Sequence, residues 1–324
     1  MDWDFLVRIL ASILAESAPL VFASVGETLT EKAGVINLSL DGSILLSAMT
    51  GFALAYLSGS LVLGFLSAMM VGALVALVVV VANIELRQDQ VAVGFVLTLL
   101  TTELSSFLGN PFVRIPGPAV PPLPVPLLKD IPVLGTLFFN HNLVTYASFV
   151  LILLAWLWMF KTKPGLELQG VGEHPAAAFA RGIHVKRLRY LYTLAGGGLV
   201  GIAGASYSLN VKLGWSYQHT LGIGWIALAI VIFGGWNPLR VALGTYLFGA
   251  LQSMGSLLQG VLPGIPIQLF QVAPFVLMIL VLVLVSSEGL ERLLGLFPGR
   301  FGKSLAGFFR VTPPSSLGKP FERE

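Results

Sequence analysis

Leu61-Val-Leu-Gly-Phe-Leu-Ser-Ala-Met-Met-Val-Gly-Ala-Leu-Val-Ala-Leu-Val-Val-Val-Val-Ala-Asn83 runs without a charged residue. About 20 largely apolar residues, coiled as an α-helix, cross the hydrocarbon core of a bilayer. The stretch is too long and too continuous for the short alternating strand of a membrane barrel. Comparable stretches flank it near residues 5–25, 35–57, 90–109, 143–160, 190–210, 220–235, 239–260 and 267–286. The pattern predicts an all-α polytopic membrane protein of about nine transmembrane helices. The 220–235 stretch is short for a crossing and reads as broken or re-entrant.

Composition agrees. The chain has 324 residues, 56% of them hydrophobic and 11% charged, whereas a soluble domain carries about 25% charge. It cannot cover a water-facing surface of ordinary size. There are no cysteines, which excludes disulfides and cysteine-ligated metals. The net charge of +3 implies no nucleic-acid partner, because positive charge belongs on cytoplasmic loops. The start, Met1-Asp-Trp-Asp4, is acidic where a signal peptide is basic, so the first stretch reads as a retained span.

Lysine and arginine set the orientation. With the N-terminus outside, Lys32, Arg87, Lys161, Lys163, Arg181, Lys186, Arg187, Arg189, Arg240 and the basic residues beyond 290 fall inside. Only Arg114, Lys129 and Lys212 remain outside, with Arg8 within the first span. An odd number of spans then places the C-terminus in the cytoplasm. The sequence divides into a membrane domain, 1–286, and a cytoplasmic tail, 287–324, whose 289–310 stretch reads as an amphipathic interfacial segment. The external loop 110–142 carries Pro-Gly-Pro-Ala-Val-Pro-Pro-Leu-Pro-Val-Pro and is expected to form an ordered cap, since proline cannot continue a helix. The internal loop 161–189 holds Gly170-Val-Gly-Glu-His-Pro-Ala-Ala-Ala-Phe-Ala-Arg-Gly-Ile183, a short, mildly polar, helix-forming run that reads as a docking element for a soluble partner.

Motifs for chemistry are absent. Gly196-Gly-Gly-Leu-Val-Gly-Ile-Ala-Gly204 has the spacing of a dinucleotide fingerprint, but it lies within a span and lacks a preceding soluble strand. Close helix packing through Gly197 and Gly201 is the expectation. Gly302-Lys303-Ser304 lacks the glycine five residues earlier that a phosphate loop requires, position 297 being Phe297. The chain is therefore expected to bind no cofactor and no ATP of its own. His141, His174, His184 and His219 are scattered and form no metal or triad spacing.

Polar side chains inside spans are costly and often functional. Asn37 and Asp41 lie four apart, so on one helix they share a face. A carboxylate at Asp41 either contributes to a solute pathway or braces neighbouring helices. Asp89 reads as an N-cap of the fourth span, followed by Gln90 and Thr98. Asn37, Asp41, Gln90 and Thr98 are the candidate pathway residues.

Several of these stretches resemble one family. Gly26-Glu-Thr-Leu-Thr-Glu-Lys-Ala-Gly34-Val-Ile-Asn37-Leu-Ser-Leu-Asp41-Gly42, Asp89-Gln90-Val-Ala-Val-Gly94, Gly172-Glu173-His-Pro175-Ala-Ala-Ala178 through Gly182-Ile183, and Gly224-Trp225 through Gly234, Asn237-Pro238 and Gly244 are similar to permease subunits of ABC importers of the nucleoside type. These sit within the wider branched-chain amino acid and simple sugar permease group. The resemblance implies a complex of a second permease subunit, ATP-binding subunits beneath, and an external solute-binding protein, with ATP consumed by the partner. It implies that Gly172, Glu173, Pro175, Ala177, Ala178 and Gly182 form the segment that couples to the ATPase. Ala176, Ala177 and Ala178 would let it seat closely, and Glu173 would lie at its N-terminal end, where a helix dipole favours a negative charge. Other solutes of the same importer class are sugars, riboflavin-like vitamins and branched-chain amino acids. A secondary transporter driven by an ion gradient is the alternative of another class.

Overall fold

The computed structural model describes residues 3–261, single positions between 264 and 283, and 312–321, with backbone alone for 256–261. Helices α1 (Trp3–Lys32), α2 (Leu40–Ser58), α3 (Leu61–Ile84), α4 (Gln90–Gly109) and α5 (Leu143–Lys161) come first. The short pair α6 (Lys163–Glu173) and α7 (Pro175–Ala180) follows, then α8 (Val185–Ser206), α9 (Ile223–Phe233) and α10 (Pro238–Val261). No strand occurs among the described residues, so the all-α expectation holds there. Eight of the nine expected spans have a helix in their place. The ninth, 267–286, lies largely outside the described residues, and the amphipathic 289–310 stretch and Gly302-Lys303-Ser304 lie wholly outside them.

Local chemistry sets the helix ends. Ser60, Asp89, Asn142 and Thr162 each accept a backbone N–H of the first turn that follows them, which satisfies a donor with no partner inside the helix. Helices α1 to α5 are long and apolar enough to cross a membrane. Their outward faces are apolar, for example Leu63, Leu66, Met70, Leu74 and Val78 along α3 and Val150, Leu153, Leu154 and Leu157 along α5. In water such faces would drive aggregation, and against lipid they carry no penalty. Helix α9 is different. Its 11 residues rise only ~16 Å, about half the hydrocarbon thickness, as its short apolar stretch suggested.

Helix α8 is the hub, and its glycines make it so. A Cβ at Gly196 would lie 2.5 Å from the Gly26 carbonyl oxygen of α1. One at Gly197 would lie 2.6 Å from the Gly72 oxygen of α3, and one at Gly201 would lie 2.7 Å from the Ala68 carbonyl carbon. One at Gly204 would lie 2.6 Å from the Ile44 oxygen of α2. On α3 the facing residues are Ala68, Gly72 and Ala76, spaced by four, so small residues meet on both sides of the seam. The fingerprint-like run is thus a packing device, as the sequence suggested.

The two ends of the bundle are built differently. At one, the proline-rich loop forms an ordered cap. Leu123 N–H donates to the His141 carbonyl at 2.9 Å, Val125 N–H to the Phe139 carbonyl at 2.9 Å, and Val120 N–H to the Leu209 carbonyl at 3.0 Å. Arg114 N–H donates to the Trp215 carbonyl at 3.1 Å. At the other end lie the turn after α1, helices α6 and α7, and residues 312–321.

Candidate functional site

Residues 36–39 join α1 to α2 outside any helix, so their backbone groups need partners elsewhere. Neighbouring helices supply them. Ile36 N–H donates to Gln90 Oε1 at 2.6 Å, and Asn37 N–H to Glu27 Oε1 at 3.0 Å. The Leu38 carbonyl accepts the Thr98 hydroxyl at 2.8 Å. Asn37 Oδ1 accepts the Ser39 N–H at 3.2 Å and the Ser39 hydroxyl at 2.5 Å, closing a local turn. Seven residues beyond Thr98, Ser105 repeats its contact by donating to the Leu45 carbonyl at 3.0 Å. The polar face of α4 is thus turned toward α2.

Asp41 is buried at the first turn of α2, and its Oδ1 accepts the Gly224 N–H at 2.9 Å. Helix α9 starts at Ile223, and the cap position before it is Gly222, which has φ +89° and no side chain to cap the helix. Asp41 supplies that cap from another helix, with a negative charge at the positive end of the α9 dipole. A Cβ at Gly224 would collide with Asp41 backbone atoms, so glycine is what lets α9 approach. At the far end of α9, the Trp236 indole N–H donates to Glu31 Oε2.

The four candidate pathway residues therefore do gather in one place. One expectation is corrected. Helix α2 begins at Leu40, so Asn37 lies before it and does not share a helix face with Asp41. The Asx turn of Asn37 with Ser39 ends the helical register there. The structure also adds residues that sequence reasoning passed over. These are Glu27, which accepts the Asn37 N–H, and Glu31 with Trp236. Buried carboxylates four apart on α1 were the available signal.

Replacing Asp41 with alanine removes the α9 cap and is expected to cost about 1 kcal/mol, read as a lower thermal midpoint of the detergent-purified protein. Asp41→Asn keeps a side-chain oxygen in place and is expected to lose less. Equal losses would show that charge, not the hydrogen bond, holds α9.

The second group is the segment from Gly172 to Gly182. Helix α6 ends at Glu173, His174 breaks it with non-helical backbone (φ −141°, ψ 76°), and α7 starts at Pro175. Proline suits the first helical position, where its missing N–H has no partner to lose. Gly182, at φ +81°, ends α7. Gly182 N–H donates to the Phe179 carbonyl at 2.8 Å and Ile183 N–H to the Ala178 carbonyl at 3.1 Å, the paired bonds of a Schellman stop. The three alanines are not equivalent. Ala178 is buried with Val171 and Val185, while Ala176 and Ala177 are exposed beside Phe179.

Glu173 departs from expectation. It is the last residue of α6 and not part of α7, so the dipole of α7 does not explain it. Its carboxylate faces Lys32 Nζ at 4.0 Å and accepts the Ser315 N–H at 3.3 Å and hydroxyl at 3.1 Å. Gly172 packs against the Lys32 carbonyl so closely that a Cβ would collide with it. Arg189, counted from sequence as a loop charge, lies on α8 with 1% of its surface exposed.

Fold and site together describe a multi-pass helical membrane protein with buried polar contacts around the α1–α2 turn and an α6–α7 pair at one end. Over residues 9–282 the chain matches the family described as branched-chain amino acid transport system / permease component, and it belongs to that family. It is thus a transport permease component. It is 36% identical over 291 residues to the nucleoside ABC transporter permease protein NupC of Lactococcus lactis subsp. cremoris, covering 85% of this chain and 91% of that one. It is 34% identical to the guanosine ABC transporter permease protein NupQ of Bacillus subtilis, covering 85% and 90%. It is 35% identical to a putative glucose ABC transporter permease protein of Haloferax volcanii, covering 78% of each. No solved structure matches the chain.

Proposed function

We propose that this chain is one of two permease subunits of an ATP-binding-cassette importer in the cell inner membrane, and that its solute is a nucleoside. The observation that carries the reading is its similarity to two nucleoside-type permeases along nearly their whole length. The chain performs no chemistry. ATP is bound and hydrolysed by a partner subunit docked on α6–α7, and an external binding protein delivers the solute. Residues 1–286 form the membrane domain, with nine spans, the N-terminus and the 110–142 cap outside, and the 161–189 segment and tail in the cytoplasm. The basic residues around α6, α7 and the start of α8 support that orientation.

Gly172, Glu173, Pro175, Ala177, Ala178 and Gly182 build the coupling element. Its exposed Ala176–Ala177 edge meets the ATPase, and Ala178 anchors it to the chain. Asn37, Asp41, Gln90 and Thr98 serve the pathway by fixing the 36–39 turn and α9 beside it. A glucose-type solute is the second reading, favoured by the comparably similar archaeal relative. Competition against uptake by a panel of nucleosides, sugars and branched-chain amino acids tests the assignment. Nucleosides are expected to inhibit. Inhibition by glucose or leucine and by no nucleoside would overturn it.

A further inference from the structure

Residues 312–321 lie far in sequence from everything they touch. Pro313 and Pro314 lead into a turn at 315–318, closed by Leu317 N–H to the Pro314 carbonyl at 3.0 Å and by Gly318 at φ +73°. Ser316 is buried there. Its N–H donates to the Gly172 carbonyl at 2.9 Å, and its hydroxyl lies 2.7 Å from the same oxygen and 3.1 Å from the Val171 carbonyl. Those carbonyls close α6 and have no partner within the helix. The segment thus caps α6 from outside.

The same ten residues hold three other elements. Gly318 N–H donates to the Gly34 carbonyl at 3.1 Å, which fastens the turn between α1 and α2. The Lys319 carbonyl accepts Arg189 Nη1 at 3.0 Å on α8, while Nε and Nη2 of that guanidinium have no partner among the described residues. A buried guanidinium without an acceptor is costly, so this contact ties the strap firmly to α8. The Phe321 ring packs on Phe179 of α7 with centroids 5.9 Å apart. The strap therefore touches α6, α7, α8 and the 33–39 turn, and that turn leads into α2 and, through Asp41, to α9.

We infer that residues 312–321 are a transmission strap, binding the coupling element α6–α7 and the α1–α2 turn into one body so that movement of the first carries the second. The inference rests on the reading of α6–α7 as the ATPase contact. A positioning role of this kind needs a seated strap throughout the cycle and no contact between strap and ATPase.

The test uses the complete transporter in proteoliposomes. Removal of residues 312–324 is expected to leave the ATPase subunit bound and hydrolysing ATP while uptake falls about tenfold or more, the scale of a lost coupling energy. Uptake within about twofold of the unaltered protein, or loss of the ATPase subunit from the complex, would overturn the inference. A cysteine pair, Phe179→Cys with Phe321→Cys, replacing rings whose centroids lie 5.9 Å apart in a chain that has no other cysteine, decides the matter even where the shortened chain does not fold. Uptake that persists with the pair cross-linked fits a strap that never leaves. Uptake blocked by the cross-link and restored by reductant means a strap that must release, and the inference fails. The underlying reading fails separately, if Ala177→Arg changes neither ATPase capture nor uptake.

Discussion

Gly201→Leu is expected to prevent assembly of the membrane domain. A Cβ at this position would lie 2.7 Å from the Ala68 carbonyl carbon and 2.8 Å from Met69 Cα. Both are backbone atoms of α3 and cannot rotate away. Overpacking of a core costs about 1–3 kcal/mol when side chains can adjust, and here α8 must move bodily from α3. That movement also opens the Gly197–Gly72 contact four residues away and loosens α1 and α2, which meet α8 through Gly196 and Gly204. The expected result is loss of monodisperse protein on size-exclusion chromatography in detergent. Gly198→Ala is the control, because its nearest contact is Met69 Cγ at 3.3 Å, in a side chain that can yield. A Gly201→Leu protein with an unchanged elution profile and thermal midpoint would mean that the α3–α8 seam is loose.

Ala177→Arg is expected to abolish uptake with the chain itself intact. Ala177 is exposed on α7, so the larger group displaces no buried contact among the described residues. Against a partner seated on the alanine edge it would force a charge into a close contact. A loss of about 2.7 kcal/mol there is roughly hundredfold in affinity. The measurements are co-purification of the ATPase subunit, uptake, and thermal midpoint of the purified chain. Uptake should fall and the midpoint should hold. Ala178→Arg separates docking from folding, because Ala178 packs with Val171 and Val185 and its replacement should lower the midpoint.

Much of this was legible in the sequence, for physical reasons that differ by residue. Long apolar stretches have few options in a bilayer, so the helices from α1 to α5 followed directly. Gly197 and Gly201 were legible because four-residue spacing of small residues has a packing meaning inside a span. Asp89 was legible as a cap because the chemistry of a helix start is local. Asn37 was misplaced onto α2 because its short turn with Ser39 overrides a periodicity argument. Glu173 was assigned to the wrong helix although Pro175 marks the break, because a residue before proline avoids helical backbone and His174 is that residue. Arg189 looked like a loop charge because burial beside a distant backbone carbonyl leaves no local trace. The 312–321 strap was invisible for the same reason. It is held mainly by backbone carbonyls and amides more than 120 residues away in the chain, and no side-chain pattern encodes that.

The shortness of α9 has a consequence for how the molecule must sit. A helix of half the hydrocarbon thickness can span a bilayer only together with the chain at its ends, and residues 212–222, which lead into α9, form no helix. Hydrocarbon offers nothing to exposed amide groups, so that sector cannot be bathed in lipid tails and must be sheltered by protein or wetted. The α9 start, Asp41 and the uncoiled 36–39 turn share that sector, whereas the outer faces of α3 and α5 are smooth and apolar. Asn37, Asp41, Trp215 and Thr220 are buried, so the chain's own helices already shelter that sector.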